Sequence, residues 1–251
     1  MPEASPAPLP EGHRPWVRVT HWVAAAAFIT LVFSGFVILM SHPRLYWGET
    51  GNDLTPAWLE LPISRNYQHG GWTKPTSFFA TPGSPVSASR TYDIFNQNGW
   101  GRSLHFLAAW FLVVPGAAYL LAGWVSGHFR RNLAPASSEL RPRPLWQEVR
   151  DHLAGRIRTP SGGPQYGLLQ KLSYCAVVFV ALPVVVITGL AMSPAVNAQF
   201  PFLTGVFGGM QSARSVHFLA FAALVLFLGV HVAMVVRSGF RRQMRAMTWG
   251  K

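Results

Sequence analysis

Four long apolar stretches alternate with polar segments along the chain, and each is long enough to cross a lipid bilayer as a helix. A membrane-spanning helix needs about 20 predominantly apolar residues at about 1.5 Å per residue. The second and third stretches contain Pro115 and Pro183, which membrane helices tolerate because neighbouring groups bind the freed carbonyls. The pattern predicts an all-α integral membrane protein, a bundle of four transmembrane helices at about 16–40, 103–125, 168–192 and 213–237.

The polar segments predict the rest of the organisation. Residues 1–13 are rich in proline and small polar residues, so we expect a disordered tail. The membrane domain is expected at 14–245, with connections at 41–102 and 126–167 and a short tail at 246–251. The first connection is rich in glycine, proline and aromatic residues, which favours a structured cap or a docking surface for another protein. A loop lying on the lipid interface is the alternative.

Lysine and arginine are distributed unevenly between the two ends of the predicted bundle. Fifteen of the 21 basic residues flank the end that contains both termini and the connection 126–167, and six lie at the other end. Because cytoplasmic segments carry the excess of basic residues, both termini are expected in the cytoplasm. The chain is then a multi-pass membrane protein, with 41–102 as its outer loop.

Composition excludes several classes of protein. Half of the residues are apolar and 12% are charged, against about 25% in soluble domains, so the chain is not disordered over most of its length. The net charge is +12, but the basic residues flank apolar stretches and form no stripe, which argues against nucleic-acid binding. The single cysteine, Cys175, excludes an intrachain disulfide and a cysteine-based zinc or iron–sulfur site.

Four of the nine histidines lie within or at the edge of the apolar stretches, where ionisable side chains are costly and usually functional or paired. His217 and His231 are 14 residues apart, which places them about 40° apart on one helix face and about 21 Å apart along its axis. Helix direction puts His21 at the depth of His231 and His105 at the depth of His217. Each depth therefore holds two histidines from different helices.

Three of these histidines have an arginine one turn nearer to water. The repeated spacing occurs as Arg18-Val-Thr-His21, Arg102-Ser-Leu-His105 and Arg214-Ser-Val-His217. Haem b suits this arrangement, because two imidazoles hold its iron from opposite faces and its anionic propionates would point toward the arginines. A zinc or manganese site without a macrocycle is disfavoured, since no carboxylate lies in the four stretches, and the same absence argues against an acid-based proton pump. The bundle is therefore expected to hold two haems b.

The four helices and the histidine spacing resemble the bacterial di-haem cytochrome b subunits. These comprise cytochrome b561-type proteins and the membrane subunits of nickel–iron hydrogenase, formate dehydrogenase and thiosulfate reductase. The resemblance covers about 14–245 and implies the same pairs, His21 with His231 for the inner haem and His105 with His217 for the outer haem.

The resemblance also implies a location, the bacterial inner membrane, and partners. The segment His42-Pro-Arg-Leu-Tyr-Trp-Gly-Glu-Thr-Gly51 is similar to the thiosulfate reductase branch, which implies a periplasmic molybdopterin oxidoreductase. The family exchanges electrons with membrane quinone near the inner haem, where Gln170, Lys171 and Tyr174 offer hydrogen-bonding groups; interfacial anchoring is their alternative role.

The function expected from this pattern is electron transfer between quinone or quinol and a periplasmic redox partner docked on the outer loop 41–102. Two alternatives stay open. One is a stand-alone membrane oxidoreductase that passes electrons from a small outer-face donor such as superoxide to quinone. The other is a transporter or plain membrane anchor without a cofactor.

Overall fold

The computed structural model describes residues 14–52, 55–63, 98–154 and 167–250. The tail predicted for 1–13 lies outside the described residues, as do parts of both long connections.

Four helices of 25 to 28 residues are long and apolar enough to cross a membrane, so the predicted bundle architecture is confirmed. They are α1 (Pro15–Ser41), α2 (Asn98–Val125), α4 (Leu168–Met192) and α7 (Met210–Arg237). The shorter helices are α3 (Pro142–Leu153), α5 (Pro194–Gln199), α6 (Phe202–Val206) and α8 (Phe240–Thr248). A π-helical turn at Phe129–Leu133 follows α2.

Proline is accommodated inside α4 by a change of helix type. The segment Val177–Ala181 is π-helical, and the N–H of Leu182 donates to the carbonyl of Val177, five residues back. Pro183 has no N–H, and its ring would crowd the carbonyl four residues before it in an α-helix. The wider turn directly before Pro183 relieves this conflict, so α4 continues as one span.

The spanning helices pack as two antiparallel hairpins. The first consists of α1 and α2, the second of α4 and α7, and α1 also meets α7 where His21 approaches His231. Apolar side chains such as Ile29, Leu121 and Leu226 are 63%, 68% and 70% exposed. Lipid tails are as apolar as these side chains, so a spanning bundle has no hydrophobic reason to bury them.

The connection between α1 and α2 contains a small strand pair that the sequence pattern does not predict. Strands β1 (Arg44–Leu45) and β2 (Leu59–Glu60) are antiparallel, with Leu45 opposite Leu59. Two-residue strands are too short to show the period-two alternation by which strands are recognised. Among the described residues the regular structure is thus helical apart from this pair, and Leu45 is completely buried beneath the connection.

The same connection caps the first turn of α7. The carbonyl of Gly48 accepts hydrogen bonds from the N–H groups of Gln211 and Ser212 at 3.0 and 3.1 Å. The carboxylate of Glu49 accepts one from the N–H of Met210 at 3.2 Å. The first N–H groups of a helix have no partner within it and favour a negative charge. The connection therefore holds the helix start that leads to His217.

The C-terminal helix is tied to the opposite end of the bundle. Arg18 Nη1 donates to the carbonyl of Thr248 at 3.0 Å, and Trp22 Nε1 donates to that of Met247 at 3.1 Å. These bonds attach α8 to the first turns of α1, close to His21.

Candidate functional site

The structure brings together the histidines that the sequence predicts as partners. The ring centres of His105 and His217 are 6.3 Å apart at one end of the bundle, with an interplanar angle of 59°. Those of His21 and His231 are also 6.3 Å apart at the other end, with an angle of 53°. We call these the His105 pair and the His21 pair. Each joins residues from two different helices.

The separation in both pairs suits an iron porphyrin. A metal ion binds an imidazole nitrogen at about 2 Å, so two imidazoles on opposite sides of one ion have ring centres roughly 6.4 Å apart. Within the described residues, no group of three or more His, Cys, Asp or Glu side chains could hold a metal without a macrocycle. The side chains present therefore fit haem b, and the assignment of the four histidines as its ligands stays a prediction.

Two buried hydroxyl groups contact the His105 pair, and the sequence pattern predicts neither of them. Ser34 Oγ lies 2.9 Å from His105 Nδ1, and Thr188 Oγ1 lies 2.9 Å from His217 Nδ1. Both residues have 0% exposure. Ser34 is on α1 and Thr188 on α4, so each hairpin supplies one hydroxyl to the histidine of its other helix.

A glycine follows each of these hydroxyl residues. A Cβ at Gly35 would lie 3.5 Å from His105 Cε1, and one at Gly189 would lie 3.4 Å from His217 Cε1. A Cβ at either glycine would be in ordinary van der Waals contact with the imidazole, so both imidazoles lie directly against the neighbouring helix. A Ser-Gly and a Thr-Gly dipeptide near the ends of two apolar stretches were the signal that could have revealed these contacts.

The His21 pair has aromatic surroundings. His231 stacks on Phe227 with ring centres 5.8 Å apart at 20°, and Phe227 meets Tyr174 at 6.2 Å. His21 meets Trp22 edge-on at 5.1 Å. Tyr174, which is predicted to bind quinone, is therefore connected to the His21 pair by the ring of Phe227, which contacts both Tyr174 and His231.

The three arginines predicted for propionates have different surroundings. Arg18 donates to the carbonyl of Thr248, while its buried Nε has no hydrogen-bond partner among the residues that the structure describes. Arg102 is exposed at the His105 end. Arg214 donates to the carbonyls of Arg44, at 3.2 Å, and His42. Arg18 thus keeps a buried donor one turn from His21, whereas Arg214 also anchors the connection after α1.

The polar residues predicted for quinone at the start of α4 have partners within the chain. Lys171 is 7% exposed, and its Nζ lies 3.0 and 3.1 Å from the two carboxylate oxygens of Glu139. Gln170 Oε1 accepts a hydrogen bond from the N–H of Gly167 at 3.3 Å. The N–H of Ala136 and the Lys171 ammonium lower the pKa of the Glu139 carboxyl. Gln170 and Lys171 therefore connect the start of α4 to the preceding connection, and their assignment to quinone stays a prediction.

Two stacked tryptophans cover the start of α7 near the His105 pair. Trp58 Nε1 donates to Ser215 Oγ at 2.9 Å, and Ser215 Oγ donates to the carbonyl of Tyr46 at 2.6 Å. Trp47 stacks on Trp58 with ring centres 5.5 Å apart at 21°. The two rings are 54% and 39% exposed, although Ser215, two residues before His217, is completely buried.

Comparison with known proteins agrees with this architecture. Residues 12–250 match the model of the family described as Prokaryotic cytochrome b561. A relative from Azospira oryzae, named "Putative protein-methionine-sulfoxide reductase subunit YedZ1", is 31% identical over 223 residues, which cover 89% of each chain. The match includes all four spanning helices, so the protein is a multi-pass membrane cytochrome that binds haem b and transfers electrons. The chain belongs to the prokaryotic cytochrome b561 family.

Proposed function

We propose that the chain is a di-haem subunit that carries electrons between quinone or quinol in the bacterial inner membrane and a periplasmic redox partner. The observation that carries the proposal is the pair of matched histidine separations, 6.3 Å at each end of the bundle. His217 and His231 are 14 residues apart on α7, so the two sites are separated by about 21 Å along the helix axis. Two haem sites at these depths would allow electrons to pass from one side of the membrane to the other.

Each pair would hold one haem, and each bound haem carries one electron by cycling between ferric and ferrous iron. His21 with His231 is assigned to the cytoplasmic side and His105 with His217 to the periplasmic side, because the basic residues concentrate at the His21 end. Arg18 supplies a buried donor for a propionate near the first pair.

Partner chemistry follows from the relative and from electron balance. The Azospira oryzae relative carries the name of a subunit of a methionine-sulfoxide reductase, which supports a subunit over a stand-alone oxidoreductase. Oxidation of one quinol releases two electrons and two protons, and reduction of one sulfoxide consumes two of each and forms water. A periplasmic reductase of methionine sulfoxide in proteins is therefore the proposed partner, and a molybdopterin enzyme is the class that the family resemblance implies.

The connection after α1 supplies the docking surface in this proposal. Trp47 and Trp58 present exposed aromatic rings close to His217, and tryptophan is enriched among residues that dominate protein interfaces. The stand-alone alternative needs a cationic funnel for a small anion such as superoxide. The Arg214 guanidinium donates to backbone carbonyls of the connection instead of lining such a funnel. This favours docking of a protein partner over binding of a small anion.

Haem content of the purified full-length chain tests the site assignment. We expect two haems b per chain and a low-spin reduced-minus-oxidised spectrum. His105→Ala and His217→Ala should each remove the same haem, and His21→Ala should remove the other. His42→Ala is the matched control, since His42 belongs to neither pair. Fewer than two haems, or a different pairing of losses, would refute the assignment.

Electron transfer in proteoliposomes tests the quinone and the partner. Vesicles contain the chain and a reduced quinol, and a soluble periplasmic methionine-sulfoxide reductase is added outside. Trp47→Ala should raise the reductase concentration that gives the half-maximal rate of electron transfer by about tenfold or more, as expected for an interface tryptophan. Phe200→Ala, at a residue 53% exposed in another connection, is the control. Reduction of quinone by superoxide without any reductase would support the stand-alone alternative.

A further inference from the structure

The two buried hydroxyls at the His105 pair are ordered by the helix backbone. Ser34 Oγ lies 2.8 Å from the carbonyl oxygen of Thr30, and Thr188 Oγ1 lies 2.6 Å from that of Val184. A hydroxyl has one hydrogen and accepts through its lone pairs, whereas a carbonyl only accepts. Each hydroxyl therefore donates to the carbonyl one turn back, and its oxygen is left to accept from the histidine.

The surrounding carbonyls support the same assignment of hydrogens. Ser34 Oγ and Thr188 Oγ1 also lie 3.3 and 3.1 Å from the carbonyl oxygens of Leu31 and Val185. Each hydroxyl hydrogen thus faces carbonyl oxygens that can only accept, so the bond between the hydroxyl oxygen and the imidazole takes its hydrogen from Nδ1. Nδ1 of each histidine thus carries the hydrogen, and Nε2 keeps its lone pair.

We propose that Ser34 and Thr188 are positioning residues that fix the Nδ1-protonated tautomer of His105 and His217 and lower the midpoint potential of the haem they hold. The inference rests on the proposed function, which places a haem between these two rings. An acceptor on Nδ1–H orients a ligating imidazole and raises the basicity of its Nε2. A more basic axial ligand stabilises ferric over ferrous iron, so the potential falls.

The other pair provides an internal reference. His231 stacks on the phenyl ring of Phe227 at 5.8 Å, and Ser34 and Thr188 lie on the His105 pair at the other end of the bundle. Changing the hydroxyls should therefore move one of the two midpoint potentials and leave the second where it was.

A spectroscopic redox titration of the purified chain tests the proposal. Ser34→Ala and Thr188→Val each remove one acceptor, and both should raise the midpoint potential of the same haem; the double variant should raise it further. Ser34→Thr and Thr188→Ser keep a hydroxyl and should restore the wild-type potential. Ser103→Ala is the matched control, because the Ser103 hydroxyl also donates one turn back, to the carbonyl of Gly99, and lies at an exposed position of α2.

The outcomes separate this proposal from the function on which it rests. If His105→Ala leaves the haem content unchanged, the proposed function fails. If both haems are present and neither potential moves in Ser34→Ala or Thr188→Val, only the present inference fails. Loss of one haem in Ser34→Ala supports the positioning role when Ser34→Thr regains that haem, and loss in both variants overturns it.

Discussion

Replacing Gly209 with alanine should detach the connection after α1 from the start of α7. Gly209 has φ +117° and ψ 170°, a region that is essentially limited to glycine. A Cβ there would lie 2.5 Å from the carbonyl carbon and oxygen of Gly48 and 2.6 Å from the backbone nitrogen of Glu49. The added methyl group thus meets the backbone that caps α7.

The cost has two parts. Backbone strain of this kind costs about 1–3 kcal/mol. Displacing the Gly48 carbonyl loses its hydrogen bonds to the N–H groups of Gln211 and Ser212, at about 1 kcal/mol each. Together these amount to about 3–5 kcal/mol. Each 1.36 kcal/mol changes an equilibrium constant about tenfold, so the equilibrium constant for local opening should rise about 100- to 5,000-fold.

Amide hydrogen exchange of Gln211 and Ser212 is the assay, because local opening exposes those two N–H groups. Two other glycines separate the contributions. Among the described residues, the Cβ position of Gly208, which has φ +79°, meets only the Ser212 hydroxyl, at 3.8 Å, so Gly208→Ala should show the strain without the clash. No described residue lies within 4 Å of the Cβ position of Gly205, so Gly205→Ala should leave exchange unchanged. Equal protection in Gly209→Ala and the wild type would refute the reasoning.

Further predictions concern three polar contacts. Hydrogen bonds hold the pKa of Glu139 below its ordinary 4.5. The wild type should therefore be more stable than Glu139→Gln above pH 4.5, and this difference should disappear as the pH falls through the lower pKa of the folded state. Thermal melts at a series of pH values measure the difference. Glu148→Ala should lower the melting temperature by removing two 3.1 Å bonds from the first N–H groups of α4, at about 1 kcal/mol. Trp58→Phe should lower the free energy of unfolding by about 1 kcal/mol, because the hydrogen bond to Ser215 is lost. The loss of haem absorbance on heating measures this change.

Conservative variants serve as controls for these contacts. Glu148→Gln keeps one acceptor oxygen and should retain part of the lost stability. Trp249→Phe changes a tryptophan that is 77% exposed and should leave the melting temperature unchanged. A stability difference between wild type and Glu139→Gln that did not decrease as the pH was lowered below 4.5 would contradict the titration argument.

The sequence by itself determined the four spanning helices and the depths of the four histidines. Both follow from local rules: bilayer thickness sets the length of an apolar run, and the helical rise converts residue number into depth. The spacing of His217 and His231 on one helix, combined with helix direction, was enough to predict the two pairs that the structure brings to 6.3 Å.

The tertiary structure alone decided what surrounds those histidines. Ser34 and His105 are 71 residues apart, and Trp58 and Ser215 are 157 apart, so no periodicity relates them. The partners of Lys171 likewise depend on how the connection before α4 folds back. Helical periodicity states which residues share a face of one helix, but the contact between two helices depends on their relative rotation and shift, which are set by packing of the whole bundle.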